Sequence, residues 1–185
     1  MSLKIGIIIG STRPGRVGDK IAEWYLSKVK DIKEASFEII DIANFNLPIL
    51  DEPVPASYGQ YSHKHTIEWA KEISKYDAYI WVTPEYNHAP SPALLNAISY
   101  LYNEWVRKPV GLVSYGGMGG VRAAEHLRQV AGEFDMVDIR SQVTIRQPWA
   151  MYDEDGQINH ELVAGEPEKQ VEDLIWWARA IKVAK

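Results

Sequence analysis

The sequence predicts an α/β fold: a three-layer, doubly wound sandwich around a five-stranded parallel sheet. Two observations carry that reading. Apolar runs of strand length alternate with stretches of helical periodicity along the chain, giving five βα units. The runs Ile5-Gly6-Ile7-Ile8-Ile9 and Ala78-Tyr79-Ile80-Trp81-Val82 are also apolar on successive residues rather than on alternate ones. Strands covered by helices on both faces read that way, because neither face of the sheet meets water.

In order, the elements begin with a strand from Leu3 to Ile9, a helix from Asp19 to Val29 and a strand from Ser36 to Asp41. A long loop, Asn46 to Ser62, carries Leu47, Ile49, Leu50 and three prolines, and is extended enough to reach a neighbouring subunit. Then come helix His63 to Lys75, strand Ala78 to Thr83, and a helix from Pro92 to Tyr102, with Ser91 as N-cap and Pro92 as its first residue. Leu94, Ala97, Ile98 and Leu101 form one face of that helix, while Leu95 and Tyr102 form a second apolar strip that needs a cover. Strand Val110 to Ser114, helix Gly120 to Phe134, strand Val137 to Val143 and helix Glu166 to Ala180 complete the series. On the last helix Val171, Leu174, Ile175, Ala178 and Ile181 make the sheet-facing stripe, and Trp176 and Trp177 are expected to fill its margins.

A chain of 185 residues can bury one sizeable core and is short for two, so residues 1–185 are read as one domain. A net charge of −5 gives no reason to expect nucleic acid or an acidic membrane as partner. The absence of cysteine excludes disulfides, thiolate nucleophiles and thiolate metal sites. With neither a signal region nor a long apolar run, the expected location is the cytoplasm.

Open α/β sheets bind ligands at the carboxyl ends of their strands, near the point where strand order reverses. The first such loop, Gly10-Ser11-Thr12-Arg13-Pro14-Gly15-Arg16-Val17-Gly18, places hydroxyls, two guanidinium groups and backbone N–H donors before a helix N-terminus, where an anion is favoured. It is not a triphosphate loop, since Arg16 and Val17 stand where lysine and a magnesium-binding hydroxyl belong. Nor is it a dinucleotide loop, since three isoleucines separate Gly6 from Gly10. A terminal phosphate monoester remains, as on FMN. The second loop, Pro84-Glu85-Tyr86-Asn87-His88, is stiffened by prolines into a wall; the third, Ser114-Tyr115-Gly116-Gly117-Met118-Gly119-Gly120, offers bare backbone to a flat ligand edge. Together they suit a planar heterocycle.

These segments, in this order and with Leu94-Leu95-Asn96-Ala97-Ile98 in the helix after the second loop, resemble the NADPH-dependent FMN reductase family. The resemblance covers residues 3 to 143 and implies a flavodoxin-like fold. It implies further that Ser11 and Arg13 hold the FMN phosphate, and that Pro84, Glu85, Tyr86 and Asn87 line one side of the isoalloxazine. Ser114, Tyr115, Gly116 and Gly117 would contact its pyrimidine edge. Arg16, Val17 and Gly18 complete the expected cofactor-binding set, with Arg16 supplying a charge-assisted bond where many members have serine.

The function expected from this pattern is an NAD(P)H-dependent oxidoreductase. NADPH or NADH would give hydride to bound FMN, and the electrons would pass to a small acceptor such as free flavin or a quinone. The cofactor carries that chemistry, so no catalytic acid or nucleophile is expected. The alternative is an FMN electron-transfer or sensory module without NAD(P)H turnover, against which the mild net charge argues. Arg122 could meet a 2′-phosphate or be a solvated first-turn residue, and His88 could serve the flavin or the surface. His63 and His65, at i and i+2, do not share a helical face, so no metal is expected there; Asp153-Glu154-Asp155-Gly156 reads as an acidic turn rather than a calcium loop. The Leu95 strip and the long loop point to a homodimer, with a tetramer as the larger alternative.

Overall fold

In the computed structural model, which describes residues 2–153 and 158–184, a mostly parallel sheet lies between two layers of helices. The chain runs β1 (Leu3–Ile9), α1 (Gly18–Val29), β2 (Ala35–Asp41), α2 (Lys64–Ile73), β3 (Ala78–Tyr86), β4 (Ala89–Pro90), α3 (Pro92–Ser99), β5 (Pro109–Gly116), α4 (Val121–Glu133), β6 (Val137–Arg146), β7 (Val163–Ala164) and α5 (Pro167–Ala184). The five long strands pair in parallel in the order β2-β1-β3-β5-β6. Two short antiparallel additions were not foreseen: β7 extends the edge beside β6, and β4 folds back on the end of β3.

The run of isoleucines in β1 is used on both faces. Ile5, Ile7 and Ile9 join Ile80, Val82 and Val113 in a core under α1 and α5. Ile8 joins Tyr79, Trp81 and Leu112 under α2, α3 and α4. Gly6 faces the second layer, where a Cβ would stand 2.7 Å from Ile40 and 3.2 Å from the Tyr76 ring, so the close packing of β1 and β2 against that side chain requires glycine. The second layer is rich in aromatics: Trp105, fully buried, meets Tyr79 at 4.9 Å, Trp81 at 5.9 Å and Trp69 at 6.3 Å between ring centroids, each edge-on.

Three expectations need correction. The α3 helix ends at Ser99 rather than Tyr102: the Ser99 hydroxyl donates to the Leu95 carbonyl and the chain turns at Leu101, whose N–H returns to Ile98. The long loop docks on its own chain instead of extending away: Asn96 accepts from the Leu50 N–H and donates to the Pro48 carbonyl, and the Tyr100 hydroxyl reaches Pro48 and Asp51. Trp176 does not fill a margin of the sheet-facing stripe but stands 63% exposed, edge-on to Trp177 at 4.9 Å. Glu154, Asp155 and Gly156 of the expected acidic turn lie outside the described residues.

Candidate functional site

The chain reverses direction across the sheet between β1 and β3, so the loops leaving those two strands open a crevice at their carboxyl ends. There lies a cleft of about 300 Å³, lined by Arg13, Arg16, Val17, Pro84, Glu85, Tyr86, Tyr115, Gly116, Gly117, Pro148 and Trp149. All three loops singled out in the sequence meet in it. Pro148 and Trp149 were missed. They follow β6, and the rule that directs attention to strand carboxyl ends applies to that strand as well.

Ser11 is fully buried, with its hydroxyl 2.9 Å from the Tyr86 hydroxyl and accepting the Arg13 N–H at 3.4 Å. The Arg13 side chain is exposed and lies 5.8 Å from the Tyr86 ring centre. Arg16 is differently placed: its guanidinium forks onto both carboxylate oxygens of Asp41 at the end of β2 and donates to the Ser11 carbonyl at 2.6 Å. That hydrogen-bonded pairing outweighs the opposing effect of burial and raises the Arg16 pKa. Arg16 therefore fastens the loop to β2. Val17 precedes α1 and accepts the Ile21 N–H, and Gly18 opens the helix directly beneath the Tyr115 hydroxyl, 2.6 Å from where a Cβ would stand. Burial and the neighbouring Tyr86 push the Tyr115 phenol well above its ordinary value, so it remains a neutral hydroxyl.

The wall is a β-hairpin. Glu85 and Tyr86 pair with Pro90 and Ala89, and the two turn residues, Asn87 and His88, hold φ of 50° and 66°. Two successive left-handed residues make a type I′ turn, whose twist matches that of the flanking strands. Asn87 and His88 are exposed at its tip. Pro84, at the end of the parallel pairing with β5, is buried. Glu85 turns away from solvent and binds the start of α4: its carboxylate accepts from the Arg122 backbone N–H at 3.1 Å and from the Arg122 guanidinium. Burial pushes this carboxyl up, but the Arg122 hydrogen bonds, with help from the Ala123 N–H, hold it below its ordinary value. Glu85 thus supplies the cap that Gly120 cannot, and Arg122 is tied to the wall of the cleft.

The third loop is held from behind. Ser114 is fully buried; its hydroxyl donates to the Gly119 carbonyl at 2.7 Å and accepts from Gln142 at 3.0 Å. The Gly116 carbonyl accepts from both Gly119 and Gln147. Gly120, with φ of 70°, lies so close to Tyr115 that a Cβ would meet its backbone N at 2.6 Å. Gly117 is exposed, and a Cβ there would meet nothing within 4 Å, so bare backbone faces the opening. On the far side Trp149 stands 71% exposed.

His63 and His65 correct another expectation. His63 is the extended residue before α2, outside the helix, and its ring stacks on that of His65 with centroids 5.3 Å apart. Both rings reach Asp51 of the long loop. Among the described residues no group of three or more histidines, cysteines or carboxylates is arranged to hold a metal ion.

Residues 3–150 match the model of the family described as NADPH-dependent FMN reductase. The chain belongs to that family. It is 42% identical over 132 residues to an NAD(P)H-dependent FMN reductase of Nectria sp, an alignment covering 68% of this chain and 66% of that protein. It is 32% identical over 177 residues to an NADPH:quinone oxidoreductase of Arabidopsis thaliana, covering 91% of this chain and 88% of that one. The solved structure of the flavoenzyme NAD(P)H:(acceptor) oxidoreductase FerB from Paracoccus denitrificans superposes with a TM-score of 0.67 at 19% identity, over 97% of this chain and 94% of that one. That likeness establishes the shared fold.

Proposed function

We propose that this cleft holds FMN and that the protein is an NAD(P)H-dependent FMN and quinone-type reductase acting as one FMN-binding domain, residues 1–185, in the cytoplasm. The observation that carries the reading is the convergence of the three loops, whose chemistry differs in the way FMN requires. A buried hydroxyl and an exposed guanidinium lie on one side, at Ser11 and Arg13. Bare backbone lies on another, at Gly116 and Gly117, with the flat walls of Pro84, Tyr86 and Trp149 around them. These residues fit a planar ring carrying a terminal phosphate.

Bound there, FMN would accept a hydride from NAD(P)H and deliver the electrons to a small acceptor such as free flavin or a quinone. Arg13 and the Ser11 hydroxyl would hold the phosphate, while Arg16 keeps the loop in place through Asp41. Pro84 and Tyr86 would lie along one side of the ring system and the backbone of Gly116 and Gly117 along its edge. Val17 and Gly18 would form the floor near the Tyr115 hydroxyl, and Ser114 would act behind the loop rather than on the ligand. Asn87 would act through the backbone of the hairpin turn. The kinship with FMN and quinone reductases supports the acceptor class.

We also take the assembly to be a homodimer about α3. Leu95 and Tyr102 are only partly buried, and Ile49, on the loop docked against this helix, is 90% exposed. Leu95→Glu should then lower the mass of the assembly by light scattering and loosen FMN.

The deciding experiment is an anaerobic visible spectrum of the purified protein with FMN before and after adding NADPH or NADH. Bleaching of the bound flavin, followed by ping-pong kinetics with a quinone, is the expected result. Tight FMN binding with no reduction by either nucleotide would replace the enzyme reading with that of an electron carrier.

A further inference from the structure

A second, roomier cavity lies away from the cleft. It is a groove of about 960 Å³ between α5 and the turn that joins α1 to β2. Its α5 wall is formed by Glu168, Glu172, Trp176, Arg179 and Val183, and Ile32 lies opposite. The stripe is separate from the residues that bind α5 to the sheet: Val171, Leu174 and Ala178 are buried, whereas Trp176 is 63% and Val183 89% exposed. The apolar side chains at 176, 180 and 183 follow the four-three spacing of a helix–helix seam. The helix lies beyond residues 3–150 matched by the family model.

We propose that the groove is an interface between two copies of this chain, whose α5 helices cross antiparallel about a two-fold axis at Trp176. The charges on the stripe select this occupant. Its carboxylates, Glu168 and Glu172, lie toward the N-terminal end of α5, and Arg179 lies toward the C-terminal end. In an antiparallel crossing a residue one turn before Trp176 meets the residue one turn after it on the other copy. Glu172 then faces the partner subunit's Arg179, and the two-fold axis repeats the pair. Each exposed indole is covered by the partner subunit's Trp176. A parallel crossing would place like charges together, and a nucleic acid or anionic membrane would meet the two glutamates. This interface is on a different face from the α3 contact and does not depend on the flavin reading. If both form, the assembly is a tetramer.

The test measures the assembly mass of the full chain by sedimentation velocity across micromolar concentrations. It compares wild type with Glu172→Arg, Arg179→Glu, the double exchange and Trp176→Ser, each also in a Leu95→Glu background. Each single charge reversal should raise the dissociation constant of the α5 contact about tenfold or more, and the double exchange should return it to within about threefold of wild type. Trp176→Ser should halve the assembly mass. All four variants should still bind FMN, since α5 lines no part of the cleft. The proposal fails if the single reversals leave the mass unchanged, or if the double exchange associates no better than they do. It fails equally if wild type in the Leu95→Glu background is a monomer throughout. Glu172 and Arg179 are both exposed, so their reversal tests the contact even if Trp176→Ser does not fold.

Discussion

Arg13 and Arg16 stand three residues apart in one loop, and their surroundings give them different work. Arg16 and Asp41 are each less than a fifth exposed in their side chains and form a two-pronged ion pair. Removing the cation leaves a largely desolvated carboxylate, so Arg16→Ala should lower stability to urea unfolding by about 1–3 kcal/mol even without FMN. The Arg13 side chain is exposed and approaches the Tyr86 ring. Arg13→Ala should leave apoprotein stability nearly unchanged and weaken FMN by about 1.5–3 kcal/mol in a fluorescence titration, if the phosphate bond is charge-assisted. Glu85 offers a pH test. Its carboxyl sits below its ordinary value of 4.5 in the folded chain, so its ionised form adds stability that is complete above that value and lost as pH falls through the folded one. Glu85→Gln should therefore be less stable than wild type at pH 7. The difference should close as pH drops below 4.5, and a constant difference across that range would place the effect in packing instead.

Among the elements, the hairpin of β3 and β4 has the most distinctive backbone. Its turn needs two left-handed residues and has Asn87 followed by His88. Asparagine tolerates that conformation and glycine suits the second position, whereas a β-branched residue is strained there. His88→Gly should raise the thermal midpoint, by up to about 1 kcal/mol of stability, and His88→Val should lower it by about 1–2 kcal/mol. If both variants retain FMN reduction by NADPH, the His88 side chain has no part in transfer. The C-terminal helix shows the complementary case, where a second apolar stripe on α5 is left without cover inside the chain.

For the whole molecule, stability and ligand binding are linked through the cleft. The three loops belong to different βα units, and they come together only when the sheet is assembled. A ligand bound to the folded chain alone should therefore stabilise it globally, by about 2.7 kcal/mol at a hundred times its dissociation constant. FMN should produce that rise in the thermal midpoint, and riboflavin at the same concentration a smaller one. Equal shifts for the two would remove the phosphate role of Ser11 and Arg13.

What was legible in the sequence was whatever depends on local pattern. The successive apolar residues of β1 and β3 marked buried parallel strands, the Gly10 to Gly18 segment marked a loop before a helix, and the glycine run after β5 marked exposed backbone. Each signal lies within a dozen residues, because strand burial and turn conformation are set by neighbours along the chain. The tertiary structure decided the pairings. It is what binds Arg16 to Asp41, Glu85 to the start of α4 and the Ser114 hydroxyl to Gly119, so that Arg16 and Glu85 line the cleft and fasten its loops at once while Ser114 holds the glycine loop from behind. It also brought in Trp149 from a loop after a strand that carried no glycine or phosphate signal. The partner of a side chain depends on which strands lie adjacent and in what register, and that order, β2-β1-β3-β5-β6, is a property of the packed sheet that no single segment contains.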